Sequence, residues 1–550
     1  MPTITINDKT CEFEPGEVIL QVALDNEIEI PHYCYHPGLS IVANCRICLA
    51  EVWAPNPRND NKLEPIPKLL PTCQTAAGEG QVVYTDSPKA IANQKAVMEY
   101  LLINHPVDCP VCDQAGECYL QDYSYQYGRG VSRFQEQKIK QPKKDLGPHV
   151  LLYADRCIMC TRCVRFAQEV TGTSELLVQG RGASEQIDVF PGIPLDNELS
   201  ANVIDICPVG ALLDKDFLFQ QRVWYLKSTP SIDGLTCSGD NLWIEHNQGK
   251  IYRLRPRTNM DVNTWWITDE VRYGWKFVHD ETRLTVPAIR EEDQYDQTEA
   301  ALAYESAYAK TNELLGGAKH LAVMISPMLT CEDAYLLARY AMAHDAEVTF
   351  SIGPIPTSGK DKTFPGGFTA YAEKAPNARG VRRVLDKFAA NVLDYEAFLG
   401  RLRSGTNIDA LLITGNYASD WVTNDFAQAI DSTPGRSVIL IDTLPTALVD
   451  RADVLIPGAT WAEKAGTFEN VNNRLQAFER AIQPIDYCKS EAQIALDLEA
   501  DQTGEPPQAY DAAQTRHTMA DVHDLSEFVN DVHLPAQAQP VDSDMEVVKL

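Results

Sequence analysis

Eleven of the fifteen cysteines in this 550-residue chain fall between positions 34 and 207. Cysteines that merely fill cores have no reason to concentrate, whereas a metal centre needs several thiolates converging on one point. The amino-terminal third is therefore expected to be a metal domain. The cysteine count is odd and too dilute for a disulfide scaffold. The start, Met1-Pro2-Thr3-Ile4-Thr5-Ile6, has no basic region, apolar run or twin arginine. The expectation is that the protein stays in the compartment that makes it, with its cysteines as thiols or metal ligands.

The cysteines group into three sets. Cys34, Cys45, Cys48 and Cys73 form the first, with ten residues before the Cys45-Arg46-Ile47-Cys48 pair and 24 after it. Upstream, Thr3 to Ile6 and Cys11 to Phe13 alternate like strands around an Asn7-Asp8 turn, and Val18 to Asn26 reads as a helix ending before Pro31. This is the outline of a ferredoxin half, with a first gap longer than the plant-type [2Fe-2S] spacing. Zinc fits the same four residues.

The second set is His105, Cys109, Cys112 and Cys118, with Pro106 stiffening the turn between His105 and Cys109. Three thiolates and an imidazole suit zinc as well as iron. The third is Cys157-Ile158-Met159-Cys160-Thr161-Arg162-Cys163 with a remote Cys207-Pro208. Three cysteines at gaps of two, completed by a distant Cys-Pro, have the spacing of bacterial [4Fe-4S] ferredoxins, and zinc knuckles do not use it. Cys11, Cys237, Cys331 and Cys488 have no clustered partner and are expected to be buried, inert thiols.

Beyond Tyr225 the pattern changes. Leu242 to Leu254 reads as a hairpin around Gly249, in a small β-rich segment expected to run to about Pro287. Thereafter His320 to Ile325, Glu347 to Ile352, Ala410 to Thr414, Ser437 to Ile441 and Val454 to Ile456 read as strands. Helical stretches alternate with them, Thr330 capping one, so a parallel sheet with helices on its faces is expected. Gly353 to Gly367 reads as loop. No Gly-x-Gly-x-x-Gly, Walker A loop or His-Glu-x-x-His gives a case for dinucleotide, ATP or catalytic zinc in this sheet. Residues 491–550 hold 13 acids and two basic residues, and are expected to form a solvated or partly disordered acidic tail. The net charge of −29 argues against nucleic acid as a partner, and no apolar run is long enough to span a membrane.

The order and spacing of the three ligand sets resemble the large iron-sulfur subunit of the proton-pumping NADH-quinone oxidoreductases, respiratory complex I. Ala462-Glu463-Lys464-Ala465-Gly466-Thr467-Phe468-Glu469-Asn470 adds to this, resembling a signature of the molybdopterin-oxidoreductase-type domain in that family. The resemblance extends over the whole chain. It implies a multidomain α+β and α/β protein. The layout is a [2Fe-2S] ferredoxin-like β-grasp over 1–80, a His-ligated [4Fe-4S] domain over 81–145, a [4Fe-4S] ferredoxin-like domain over 146–223, a small β-rich molybdopterin-oxidoreductase-like domain without a cluster over 224–290, an α/β scaffold of that type over 291–490, and the tail over 491–550.

It further implies one [2Fe-2S] on Cys34, Cys45, Cys48 and Cys73, and two [4Fe-4S]. One of these is on His105, Cys109, Cys112 and Cys118; the other is on Cys157, Cys160, Cys163 and Cys207. Electrons would pass from a flavin/NADH-binding subunit through the first, third and second sets to quinone-facing iron-sulfur subunits. The chain would be an oxidoreductase subunit with no catalytic residue of its own, joined only indirectly to the membrane arm. It would sit peripherally at the cytoplasmic face of a bacterial inner membrane. Cys237 alone cannot hold the further [4Fe-4S] of some members, and nothing around Cys331 or Cys488 makes a molybdenum site, so no molybdopterin is expected. The iron-sulfur subunit of an NAD-linked hydrogenase or formate dehydrogenase shares the ferredoxin-like start, but each needs cysteines this chain lacks after residue 207.

Overall fold

The computed structural model describes residues 1–291, 294–296, 300–404 and 408–535. They divide into two compact units, one comprising Met1–Leu226 with Phe364–Phe368, the other the remaining described residues from Lys227 on.

In the first unit, Thr3–Ile6 pairs antiparallel with Lys9–Glu12 across a turn in which Asn7 and Asp8 take φ of 46° and 67°. Two left-handed residues give the tight turn that matches strand twist, so the second strand starts at Lys9 rather than Cys11. Thr3–Ile6 also runs parallel to Val82–Tyr84, which pairs with Leu49–Asn56 and completes a mixed sheet. The helix Ile19–Asp25 lays Ile19, Leu20, Val22 and Ala23 onto Ile4, Ile6, Phe13, Val52 and Val83. This is a β-grasp core, with Cys48 and Cys73 at its edge. A helix Pro88–Leu102, capped by Ser87 and begun by Pro88, leads to the short helix Tyr119–Tyr127. Val150–Tyr153 is then flanked by Lys143–Asp145 and Leu212–Asp214 in a three-stranded antiparallel sheet.

The second unit opens with a three-stranded antiparallel sheet of Lys227–Ile232, Asn241–Asn247 and Lys250–Pro256. The β-rich character stops at Pro256 rather than near Pro287. Asp269–Tyr273 and Gly274–His279 are helical, because Thr268 caps the first and Val271, Trp275 and Val278 fall on one buried face. Five parallel strands follow in chain order, Leu321–Ile325, Thr349–Ile352, Ala410–Thr414, Ser437–Asp442 and Val454–Pro457. Their spatial order is second, first, third, fourth, fifth, with Ala288–Glu291 antiparallel beside the fifth and Gln294–Asp296 antiparallel beyond it at the edge. Helices cover both faces, and Thr330 forms a capping box with Asp333 on Cys331–His344.

The expected acidic tail is corrected. Glu491–Thr503, Ala512–His523 and Glu527–Asn530 are helices, and Ile494, Leu498, Met519 and Phe528 join the main core. The acids lie on faces around an apolar stripe, so charge counting alone missed the helical period. Residues 536–550 of that segment lie outside the described residues.

Candidate metal centres

The first set closes. Cys34 Sγ stands 3.5 Å from Cys45 Sγ, and Cys48 Sγ 3.5 Å from Cys73 Sγ. Two thiolates on one tetrahedral metal with bonds of about 2.3 Å lie roughly 3.8 Å apart, so each pair has the spacing of ligands to a shared metal atom. Hydrogen bonds from Cys45 and Cys73 hold the Cys34 thiol well below its usual range, while these same bonds and burial push Cys45 and Cys73 up. Among the described residues, no three His, Cys, Asp or Glu side chains form a group able to hold a single metal ion. Two close pairs are what a binuclear centre asks for.

The third set lines one cavity. Cys157, Cys160, Cys163 and Cys207 face each other there with Leu152, Ile187 and Val209. Met159 and Thr161 have φ of 54° and 60°, and the left-handed Thr161 is followed directly by the right-handed turn Arg162–Arg165. Left-handed backbone in a non-glycine residue costs roughly 1–2 kcal/mol, and such a change of hand turns successive N–H groups toward one point, a nest for an anion. The Met159 N–H donates to Cys157 Sγ at 3.4 Å. Burial raises Cys157 to about 12 and Cys160 to about 11, and the neighbouring thiols add to the effect. Metal binding here must expel protons. Among the described residues, the buried Nε atoms of Arg162, which lines the cavity, and of Arg165 on the same turn have no hydrogen-bond partner, which suits an anionic group between the cysteines.

The second set is more open. Cys112 and Cys118 are buried, Cys109 is exposed, and Cys109–Val111 is a single 3-10 turn. Arg156, stacked on Tyr153, donates to Cys112 Sγ at 3.4 Å and pairs with Asp108 at 3.0 Å. The same Arg156 and Asp108 act on His105, whose imidazole is held down to about 4, first by burial and then by Arg156 and Lys138. His105 is therefore neutral at pH 7 and able to donate a lone pair. The loop after Cys207 reaches this set. Pro208 O accepts from Tyr119 N–H at 3.1 Å, and a Cβ on Gly210 would stand 2.3 Å from Cys112 Sγ.

Sequence reasoning missed Arg156, Arg162, Arg165 and Gly210, although three of the four lie inside or next to the ligand motifs. Cys11, Cys237, Cys331 and Cys488 are buried as expected, and burial raises all four thiols.

Comparison with known proteins agrees with this layout. Family models match residues 1–88 (2Fe-2S iron-sulfur cluster binding domain), 94–133 (NADH-ubiquinone oxidoreductase-G iron-sulfur binding region) and 147–213 (NADH-quinone oxidoreductase subunit 3, ferredoxin-like domain). Others match 226–276 (NADH-ubiquinone oxidoreductase NDSU1/NuoG-like, 4Fe-4S domain) and 389–500 (Molybdopterin oxidoreductase). In the 226–276 match Cys237 is the sole cysteine.

The chain is 41% identical over 319 residues to the mitochondrial NADH-ubiquinone oxidoreductase 78 kDa subunit of Neurospora crassa, covering 56% of this chain and 41% of that protein. It is 43% identical over 300 residues to the mitochondrial NADH dehydrogenase [ubiquinone] iron-sulfur protein 1 of Solanum tuberosum, covering 54% and 39%. It is 41% identical over 295 residues to the NADH-ubiquinone oxidoreductase 75 kDa subunit of Reclinomonas americana, covering 54% and 41%. The matched region is thus about two-fifths of the length of these relatives. These alignments cover just over half of this chain. The chain carries a 2Fe-2S domain, 4Fe-4S ferredoxin-like domains and a molybdopterin-oxidoreductase-type domain.

Proposed function

We propose that this chain is the large iron-sulfur electron-transfer subunit of a proton-translocating NADH:quinone oxidoreductase. It would receive electrons from a flavin/NADH-binding subunit and pass them to quinone-facing iron-sulfur subunits. The observation that carries this is the packing of all three ligand sets into one compact unit, with the Cys207–Gly210 loop serving two of them. Similarity to the large subunits of NADH-ubiquinone oxidoreductases supports it, as does the match of residues 94–133 to the NADH-ubiquinone oxidoreductase-G iron-sulfur binding region.

In this reading Cys34, Cys45, Cys48 and Cys73 hold a [2Fe-2S], His105, Cys109, Cys112 and Cys118 a [4Fe-4S], and Cys157, Cys160, Cys163 and Cys207 another. Such clusters, when bound, supply carriers for one electron at a time. The chain's own residues do the rest. The cysteine loops exclude water, the nest of N–H groups around Met159 and Thr161 favours negative charge, and Arg156, Arg162 and Arg165 offset the charge of the thiolates. The neutral His105 leaves its site one negative charge lighter than an all-thiolate site.

The second unit is proposed as a scaffold without molybdopterin or a cluster. In doubly wound sheets, ligands sit beyond the carboxyl ends of the strands where the order reverses, here between Leu321–Ile325 and Ala410–Thr414. Side chains and backbone of the same unit hydrogen-bond to one another at that end of the sheet. Tyr417 donates to Pro354 O, Trp421 to Asp442, and Asn416 to Ala459 O. Since no helix among the described residues is long and apolar enough to cross a membrane, attachment at the cytoplasmic face of a bacterial inner membrane is proposed to be peripheral, through partner subunits.

Metal analysis of the anaerobically purified full chain is the test. About ten irons with matching sulfide per chain are expected from one [2Fe-2S] and two [4Fe-4S]. One equivalent of zinc or molybdenum, or about fourteen irons, overturns the assignment.

A further inference from the structure

Arg162 and Arg165 stand three residues apart on the turn that contains Cys163, and both guanidinium groups are buried. Each reaches from the third ligand set to the first. Arg162 donates through Nη1 to Ile206 O, next to Cys207, at 3.2 Å, and through Nη2 to Tyr35 O, next to Cys34. Arg165 is closer still to the ligands. Its Nη2 donates to Cys34 O at 2.6 Å and to Cys160 O at 3.3 Å, while Nη1 holds Ser40 O. One nitrogen therefore joins a ligand residue of the first set to a ligand residue of the third. Two further contacts brace the same loops, from Asn44 Nδ2 to Met159 O at 3.3 Å and from Ser40 to Glu169.

Backbone carbonyls alone would not require guanidinium here. Burying a cation costs several kcal/mol unless negative charge repays it. The thiols of Cys160 and Cys34 lie within electrostatic reach of Arg165, as does Glu169. When the thiols become thiolates on metal, the buried charge is matched on both sides.

We infer that Arg165 is the positioning residue for electron passage between the first and third sets. It fixes their separation, provides a hydrogen-bonded path through a single nitrogen, and sets the potential at both. The inference rests on the cluster assignment proposed above. The step it serves is the transfer of one electron from the Cys34 side to the Cys160 side, with no proton moved and no bond broken. In the assembly the reductant is the flavin hydroquinone; in the test it is a photogenerated one-electron donor. Tunnelling falls exponentially with the gap to be crossed, and a hydrogen-bonded bridge conducts better than empty space, so a residue linking both ligand backbones controls the rate.

The test compares full-length wild type, Arg165→Met and Arg165→Lys by EPR redox titration and by flash photoreduction with freeze-quench EPR. Arg165→Met removes both charge and bridge. It is expected to lower the potentials of the [2Fe-2S] and the all-cysteine [4Fe-4S] while leaving the His105 site unchanged. It should also slow transfer between the first two by at least about tenfold, the lower end of what outer-shell partners of metal sites contribute. Arg165→Lys restores charge without the shared nitrogen, so the potentials should recover and the rate should stay slow.

Unchanged potentials and rate in Arg165→Met, or a shift at one site alone, overturn the inference. If Arg165→Met fails to hold clusters, Arg165→Lys decides, and a wild-type transfer rate in it overturns the inference. Wild-type protein lacking both EPR signals overturns the cluster assignment itself, and this inference with it.

Discussion

Gly210→Ala isolates the second ligand set by a purely steric change. The φ of Gly210 lies outside the left-handed region, so alanine meets no backbone penalty and acts only through its Cβ. That atom would stand 2.3 Å from Cys112 Sγ and 3.1 Å from Gln114 Cβ, whereas ordinary contact begins at 3.4 Å. The thiol must therefore retreat by about 1.1 Å, against the roughly 0.2 Å that metal–ligand bonds tolerate. Arg156 closes the other side, donating to Cys112 Sγ at 3.4 Å while held by Asp108, so retreat is obstructed. Overpacking of this kind costs about 1–3 kcal/mol, which the fold can absorb and the metal site cannot. The expected outcome is a folded protein lacking about four of its about ten irons, with the Cys34 and Cys157 sites intact by EPR. Full iron content with an unchanged signal from the His105 site would refute both the geometry and the ligand role of Cys112.

Three further perturbations test other parts of the structure. His105→Cys adds a negative ligand, so its [4Fe-4S] should persist at a lower potential, in the direction opposite to the upward shift histidine ligation gives in Rieske centres. EPR titration checks this, and an unchanged or higher potential with the cluster intact removes His105 from the ligand set. Acidification should destabilise the first unit below pH 6.5. Burial, then Arg162 and Arg165, hold His36 down to about 3, and His105 is at about 4. Unfolded histidines take up protons near 6.5 while these resist, so stability is complete above 6.5 and falls as pH drops toward 4, by up to about 1.4 kcal/mol per pH unit per group. Tm at pH 7.5, 6 and 5 reads it, and His36→Phe should flatten the slope; equal Tm values throughout would contradict the burial of both rings. Lys464→Met strands Asp333 and Glu491, which lie 2.8 and 2.5 Å from the Lys464 ammonium in a fully buried triad. A loss of about 3–5 kcal/mol is expected. Denaturant unfolding followed by tryptophan fluorescence measures it, and a loss under about 1 kcal/mol would contradict an obligatory buried triad.

Much of this was legible from spacing, because local chemistry dictated it. Gaps of two between Cys157, Cys160 and Cys163 can be closed only by a tight loop, and the left-handed Met159 and Thr161 make that loop. The five parallel strands read as short, apolar runs because both faces are covered. Positions that depend on distant partners were not legible. Nothing near Arg165 in the sequence announces that it meets Cys34, and Gly210 looks like an ordinary turn glycine until Cys112 is seen beside it. The helices after Glu491 were hidden because their apolar stripe of Ile494, Leu498, Met519 and Phe528 is thin beneath many acids.

The segment Ala462–Asn470 is held by side chains of its own unit. Glu463 closes on Arg283 at 2.8 Å, Lys464 joins Asp333 to Glu491, and Thr467 binds Glu332, which Arg516 also reaches at 3.0 Å. Glu469 pairs with Arg383, and Asn470 donates to Ser238 O at 3.0 Å. Every charged side chain of the segment is thus answered by another side chain of the same unit. Removing one partner of a buried pair costs several kcal/mol even where the pair itself contributes little net stability. The network therefore resists piecemeal loss, and its polar residues would remain fixed by their mutual satisfaction with no ligand to bind. Two partners of this network, Glu491 and Arg516, come from the segment whose composition reads as a tail, which makes the acidic carboxy-terminal helices a part of the scaffold's charge balance.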